Sequence, residues 1–156
     1  MTSIESRNGF QTKVWGPCAW FFLHIVTLNF SPSRAVGYLR FFKSLGEVLP
    51  CGACRDNYKK IIRSNDPKLR LTSAVFMSRS STARWLFRVH NKVQYDIHKK
   101  TGKDWPLFKD TKKDFMKAMK MYERYRSTCG KISYGCVIPK KGYRKQRTIV
   151  KVIPCK

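Results

Sequence analysis

Apolar residues recur at spacings of three and four along most of the chain, with polar residues between them, which is the pattern of helices buried on one side. Trp20, Leu23, His24 and Thr27 fall at i, i+3, i+4 and i+7 and share a face. Phe21, Phe22, Ile25 and Val26 make the rest apolar, so a first helix is expected to be buried on most sides. It is expected to start at Pro17, whose missing N–H suits a first turn, and to run to about Asn29. Ser31-Pro32-Ser33 breaks the pattern and caps a second helix carrying Val36, Leu39, Phe42, Leu45 and Leu49, which stops at Pro50. A third begins at Cys51-Gly52-Ala53-Cys54, carries Tyr58, Ile61 and Ile62, and ends near Ser64-Asn65-Asp66-Pro67. Residues 66–79 read as irregular. Ser80 or Ser81 then caps a fourth helix, with Leu86, His90, Val93 and Ile97 on one stripe and Gly102 closing it. Asp110 caps a fifth, with Phe115, Ala118, Met119, Tyr122 and Tyr125. No strand alternation precedes residue 130, so the expected fold class is all-α.

Composition adds limits to this picture. Hydrophobic residues make up 42% of the 156 residues, enough for one domain with a core. The expected division is an N-terminal arm over 1–12, a helical domain over 13–126 and a basic, cysteine-containing tail over 127–156. From Cys129 onward the chain has eight Lys or Arg and no acid. No apolar run approaches the ~20 residues of a membrane span. Residues 1–12 lack an apolar or Arg-rich amphipathic pattern, so neither a transmembrane segment nor a secretory or transit signal is expected. The net charge of +24 draws the protein toward polyanions or acidic partners without saying which.

The chemistry lies in the cysteines. Cys51 and Cys54, three apart at a helix start, are spaced to form a small-ring disulfide. The partial positive charge of a helix N-terminus lowers a thiol pKa from its free value of ~8.5, and Arg55 adds a nearby cation. The first cysteine of such a pair is the one that meets an outside thiol, so Cys51 is the candidate for exchange and Cys54 its buried partner. A structural zinc half-site is the bland reading, but a closed site needs four ligands and no second CxxC exists. A thioredoxin-like domain needs βαβ units that this chain does not offer. His24 or His90 alone reads as a satisfied core histidine, and Trp20 or Trp85 alone as a core aromatic. Cys18 reads as a buried thiol acting as a small hydrophobe.

The combination is more specific. Trp15-Gly16-Pro17-Cys18-Ala19-Trp20-Phe21-Phe22-Leu23-His24, then Pro50-Cys51-Gly52-Ala53-Cys54, then His90-Asn91-Lys92-Val93 resembles the Erv/Alr family of FAD-linked sulfhydryl oxidases, over about residues 13–126. The compact size, the Cys-Arg-Asp-Asn-Tyr continuation and Gly135-Cys136-Val137-Ile138-Pro139 look most like the branch encoded by large DNA viruses. The resemblance implies a four-helix bundle with a short fifth helix, FAD at its mouth, and a homodimer. It implies a thiol oxidase: the Cys51–Cys54 disulfide takes electrons from thiol-containing client proteins and passes them by way of FAD to molecular oxygen, giving hydrogen peroxide. Gly16, Trp20 and His24 would lie along the cofactor, with Cys54 facing its flavin ring. His90, Asn91, Val93, Gln94 and Lys99 would hold its adenine and ribose end. Three positions depart from the family pattern: Gln94 stands for Asn, His98 for a Gly, and Leu49 for an aromatic. Tyr58 reads as a core residue rather than a cofactor contact. On the resemblance, Cys129, Cys136 and Cys155 would be shuttle or stapling cysteines, and Cys129–Cys136 encloses six residues.

The rival reading is a non-enzymatic basic nucleic-acid-binding protein with a structural CxxC. Charge supports it, yet no nucleic-acid motif appears and the cations are spread rather than grouped on one recognition helix. A combined reading lets the basic tail dock on an anionic surface, nucleic acid or lipid. The compartment expected is host cytoplasm or virion, with the mitochondrial intermembrane space as the alternative. Exposed residues of the first two helices are candidates for the dimer surface.

Overall fold

A computed structural model describes residues 9–102, 109–128, 136 and 138–139. The helices run α1 (Thr12–Leu28), α2 (Ala35–Val48), α3 (Gly52–Ile62), α4 (Arg79–Thr101) and α5 (Lys112–Glu123), with 3-10 turns over Pro32–Arg34 and Ser73–Met77. The expected all-α class holds. The one addition is a two-stranded antiparallel pairing of β1 (Ser127–Thr128) with β2 (Ile138–Pro139). Alternation could not foretell strands of two residues, because a period of two needs several residues to register.

Four helix starts differ from expectation. α2 begins at Ala35, after the 3-10 turn over Pro32–Arg34, and neither Ser31 nor Ser33 caps it; their hydroxyls lie 3.0 Å from each other instead. α1 begins at Thr12, so Pro17 lies inside it. A proline bars the helical conformation of its predecessor partly through that residue's Cβ, and Gly16 has none. α4 is capped by Ser78 rather than Ser80 or Ser81. The Ser78 hydroxyl accepts from the Ser81 N–H at 3.0 Å, and Ser81 Oγ accepts from the Ser78 N–H at 3.0 Å, a reciprocal capping box. Asp110 does not cap α5. Its carboxylate accepts from Arg84 and Arg88 of α4, and Thr111 Oγ1 accepts from the Asp114 N–H instead. Gly102 ends α4 as expected, at φ 63°, a left-handed conformation that costs glycine little.

The chain forms two compact units, one reaching Met116 and one starting at Lys117. In the first, α1 packs on α4, α2 on α3, and α3 on α4. Phe42 is the centre of its core and has no solvent exposure. Its ring meets Trp85 edge-on at 5.2 Å between centroids and lies against Phe76 at 6.1 Å. The polar atoms that enter this core are served: Tyr58 Oη donates to the Phe42 carbonyl at 2.7 Å, and Trp85 Nε1 to the Leu69 carbonyl at 2.8 Å. Tyr58 and Trp85 are thus core residues, as read. In the second unit, Arg126 pairs with Glu123, and Ser127 Oγ donates to the Cys136 carbonyl at 2.6 Å.

Phe42→Ala should lower the unfolding free energy by about 3–5 kcal/mol, through lost burial and the cavity left behind. Tyr58→Phe removes a second hydrogen bond from the Phe42 carbonyl, which keeps its place in the α2 ladder, and should cost about 0.5–1.5 kcal/mol. Urea unfolding of each variant checks both, and a Phe42→Ala midpoint equal to wild type contradicts this account of the core.

Candidate functional site

Cys51 is the N-cap of α3, with extended backbone at φ −156° and ψ 117°. Its Sγ accepts from the Cys54 N–H at 3.2 Å, the position a serine or aspartate oxygen usually fills, and the two cysteines form a disulfide. The turn before the pair is pinned at Leu49, whose carbonyl accepts from the Cys51 N–H at 2.8 Å and from Arg55 Nη1 at 2.6 Å. When the disulfide is reduced, the sulfurs lie at the positive end of α3 with the Arg55 cation one turn away, which favours thiolate.

Residues 9–12, expected as part of a loose arm, are tied to this turn. The Phe10 N–H donates to the Pro50 carbonyl at 2.8 Å, and Trp15 Nε1 donates to the Phe10 carbonyl at 3.0 Å. Gly9 passes so close that a Cβ would meet the Pro50 oxygen at 2.4 Å, so only glycine fits. Thr12 Oγ1 comes to rest 3.8 Å from Cys54 Sγ. Sequence reasoning missed Thr12, because nothing in the spacing links it to a cysteine forty-two residues away.

From Thr12 a stripe at i+4 intervals runs along α1 through Gly16, Trp20 and His24 and meets α4 at its far end. Trp20 stacks on His90 with ring centroids 4.0 Å apart and planes 9° from parallel. His24 Nε2 is 3.0 Å from His90 Nδ1, and Gln94 Nε2 is 3.2 Å from His90 Nε2. Amide nitrogen only donates, so Gln94 donates to His90 Nε2, His90 Nδ1–H donates to His24 Nε2, and both rings are neutral. The longer amide of Gln94 therefore reaches the histidine. His98 continues this stripe two turns on, and its Nδ1 is buried with no hydrogen-bond partner among the described residues. The sequence signal for His98 was its departure from a glycine pattern.

The other candidates are more dispersed. Asn91 is half-buried, Val93 packs against the core from a partly buried position, and Lys99 is exposed. Cys18 is an exposed free thiol, not the buried one expected. It lies on the α1 face opposite Gly16 and Trp20, together with exposed Val14, Phe21 and Phe22. Cys136 is disulfide-bonded, while Cys129 and Cys155 lie outside the described residues.

Fold and site define a helical domain with a disulfide-bonded cysteine pair at a helix head, beside the first turn of a helix that carries a stripe of aromatic and imidazole side chains. The model of the Erv1 / Alr family matches residues 17–122, and the chain belongs to that family. A probable FAD-linked sulfhydryl oxidase of Acanthamoeba polyphaga mimivirus is 38% identical over 90 residues, covering 55% of this chain and 60% of the relative. The mitochondrial FAD-linked sulfhydryl oxidase ERV1 of Saccharomyces cerevisiae is 27% identical over 88 residues, covering 54% and 43%. An FAD-linked sulfhydryl oxidase of Arabidopsis thaliana is 28% identical, with 54% and 42% covered. The chain spans about half the length of the curated relatives it matches.

Burial, together with the neighbouring His90, pushes the His24 imidazole down to about 3, and burial pushes His90 down to about 4. In the unfolded chain both titrate near ~6.5. Above that pH neither state takes up protons and stability is level. As pH falls from about 6.5 toward about 4, the unfolded chain binds protons that the folded one refuses, and stability drops by up to about 1.4 kcal/mol per pH unit for each histidine. Urea unfolding of flavin-free protein across this window should show the loss, and His24→Gln should flatten it. A profile that His24→Gln leaves unchanged contradicts the assignment.

Proposed function

We propose that this chain is an FAD-dependent sulfhydryl oxidase that forms disulfides in client proteins. The observation that carries the reading is the placing of the Cys51–Cys54 disulfide against the first turn of α1, whose stripe leads through Trp20 and His24 to His90 and Gln94. The residues present fit the cofactor. Trp20 and His90 offer flat rings for stacking, neutral imidazoles and Gln94 offer directional hydrogen bonds, and the buried His98 Nδ1 has a bond to give or accept. Gly16, Trp20 and His24 from α1, and His90, Asn91, Val93, Gln94 and Lys99 from α4, are the residues we assign to holding it. Bound FAD supplies the two-electron acceptor and the reaction with oxygen that yields hydrogen peroxide.

The chain's own part is thiol exchange. A client thiolate attacks Cys51 Sγ, the Cys51–Cys54 bond breaks, and its electron pair leaves on Cys54 as thiolate. A second client thiolate attacks the client sulfur of the mixed disulfide, which releases the client disulfide and leaves Cys51 as thiolate. Arg55 and the head of α3 stabilise both charges, and Thr12 Oγ1 is placed to donate to Cys54.

We assign this chemistry to residues 13–126 and a shuttle or stapling role to Cys129, Cys136 and Cys155. The exposed apolar face of α1, with Val14, Cys18, Phe21 and Phe22, supports a homodimer. The mimivirus relative supports host cytoplasm or virion, over an intermembrane space supported by a relative of lower identity. No helix among the described residues is long and apolar enough to cross a membrane.

Purified protein should be yellow, and its flavin absorbance should bleach with dithiothreitol in the absence of oxygen. Cys54→Ser should abolish oxygen consumption and keep the flavin, whereas Trp20→Ala and His90→Ala should lose flavin. Folded protein that is colourless and cannot be loaded with FAD overturns the reading. In sedimentation the wild type should run as a dimer and Phe22→Glu as a monomer.

A further inference from the structure

The α2–α3 hairpin carries a concave surface apart from the cysteine pair. It is a groove of about 520 Å³ between the outer faces of α2 and α3 and residues 71–73. Its floor is aliphatic, formed by Leu39, Ile62 and Leu71. Its walls carry Arg40, Lys43, Lys59 and Arg63, with Glu47 as the one carboxylate. Glu47 is already engaged by Lys59 at 2.9 Å. Arg40, Lys43 and Arg63 are exposed and have no acidic partner among the described residues.

We propose that this groove docks an acidic segment of the client polypeptide, holding its carboxylates on Arg40, Lys43 and Arg63 and an apolar side chain on Leu39, Ile62 and Leu71. The proposal rests on reading the chain as a thiol oxidase. Three observations point to an acidic peptide. The uncompensated charge is positive and arranged along both walls, so it complements carboxylates and speeds their approach. The floor asks for an aliphatic group, and no aromatic side chain lines the groove to stack on nucleotide bases. The groove also shares its two helices with the redox turn. Arg63 lies nine residues beyond Cys54, about 13 Å along the helix at ~1.5 Å per residue. An extended chain covers that in about four residues. A client thiol at Cys51 would therefore carry its acidic segment about four or more residues away, which makes the groove a determinant of client choice.

The direct test needs neither flavin nor turnover. A fluorescein-labelled, cysteine-free peptide with three Glu and a Leu, and its twin with Gln for Glu, are titrated with full-length protein and followed by anisotropy. The acidic peptide should bind about tenfold more tightly than the Gln twin, and the double variant Arg40→Glu, Arg63→Glu should remove that difference. Circular dichroism checks that the variant is folded; should it misfold, the comparison of the two peptides on wild type still decides. In turnover, the variant should raise KM for an acidic dithiol peptide about tenfold while leaving kcat and the rate with dithiothreitol unchanged. Equal binding of the two peptides overturns the proposal, as does a folded variant that binds like wild type. Displacement of the acidic peptide by oligothymidylate at lower concentration than by unlabelled peptide, lost in the same variant, makes the groove a phosphate-backbone site and also overturns it. Colourless protein that still discriminates the peptides defeats the oxidase reading and leaves the groove an acidic-peptide site.

Discussion

The packing around Phe42 sets the geometry of the first unit. This one ring, buried without exposure, meets Trp85 of α4 and Phe76 of the 3-10 turn, while its own carbonyl takes the hydroxyl of Tyr58 in α3. Three helices and a connecting turn are thus referred to a single residue. The α2–α3 hairpin cannot shift without either opening a void at Phe42 or leaving the buried Tyr58 hydroxyl without its acceptor, and both outcomes cost stability. Because the cysteine pair sits at the tip of that hairpin, the core fixes where the disulfide stands relative to α1 and α4.

In the proposed oxidase the site divides into a reactive end and a holding end. The reactive end is built from backbone. The Cys54 N–H, the Leu49 carbonyl and the head of α3 place and polarise the sulfurs, and Arg55 contributes charge while also tying the turn. The holding end is built from side chains on two helices that pack together, α1 and α4. Its histidines are neutral because burial makes their charged forms costly, and neutrality lets Gln94, His90 and His24 form a one-way chain of donors. Thr12 begins the stripe that joins the two ends.

The surface follows a different logic. Among the described residues no lysine or arginine is buried, so their charge faces solvent. Spread charge of this kind guides encounters over a Debye length, but it does not choose a partner. The α2–α3 groove differs in that its cations stand round an apolar floor, which couples charge to shape. The apolar face of α1 is a contrasting surface, with Phe21 and Phe22 and no such ring of charge.

Much of this was legible in the chain. The 3.6-residue period gave five helices, because each buries one face and the apolar residues must recur to match. Cys51-x-x-Cys54 with the tryptophan and histidine motifs pointed to the family, since those residue types have few other reasons to occur together. Tyr58 was readable as core from its position beside Ile61 and Ile62. What the chain could not show were choices between equivalent neighbours. Ser78 caps α4 in place of Ser80 or Ser81 because it and Ser81 serve each other's N–H, and Asp110 turns from a helix start to Arg84 and Arg88, which are distant in sequence. The same holds for Thr12 beside Cys54, for exposed Cys18, and for the stacking of Trp20 on His90. Sequence by itself determined which segments are helical and which residues can do redox chemistry, as both follow from local period and functional group. Only the tertiary structure decided which of those residues meet, because contact across many tens of residues is set by the packing of whole helices.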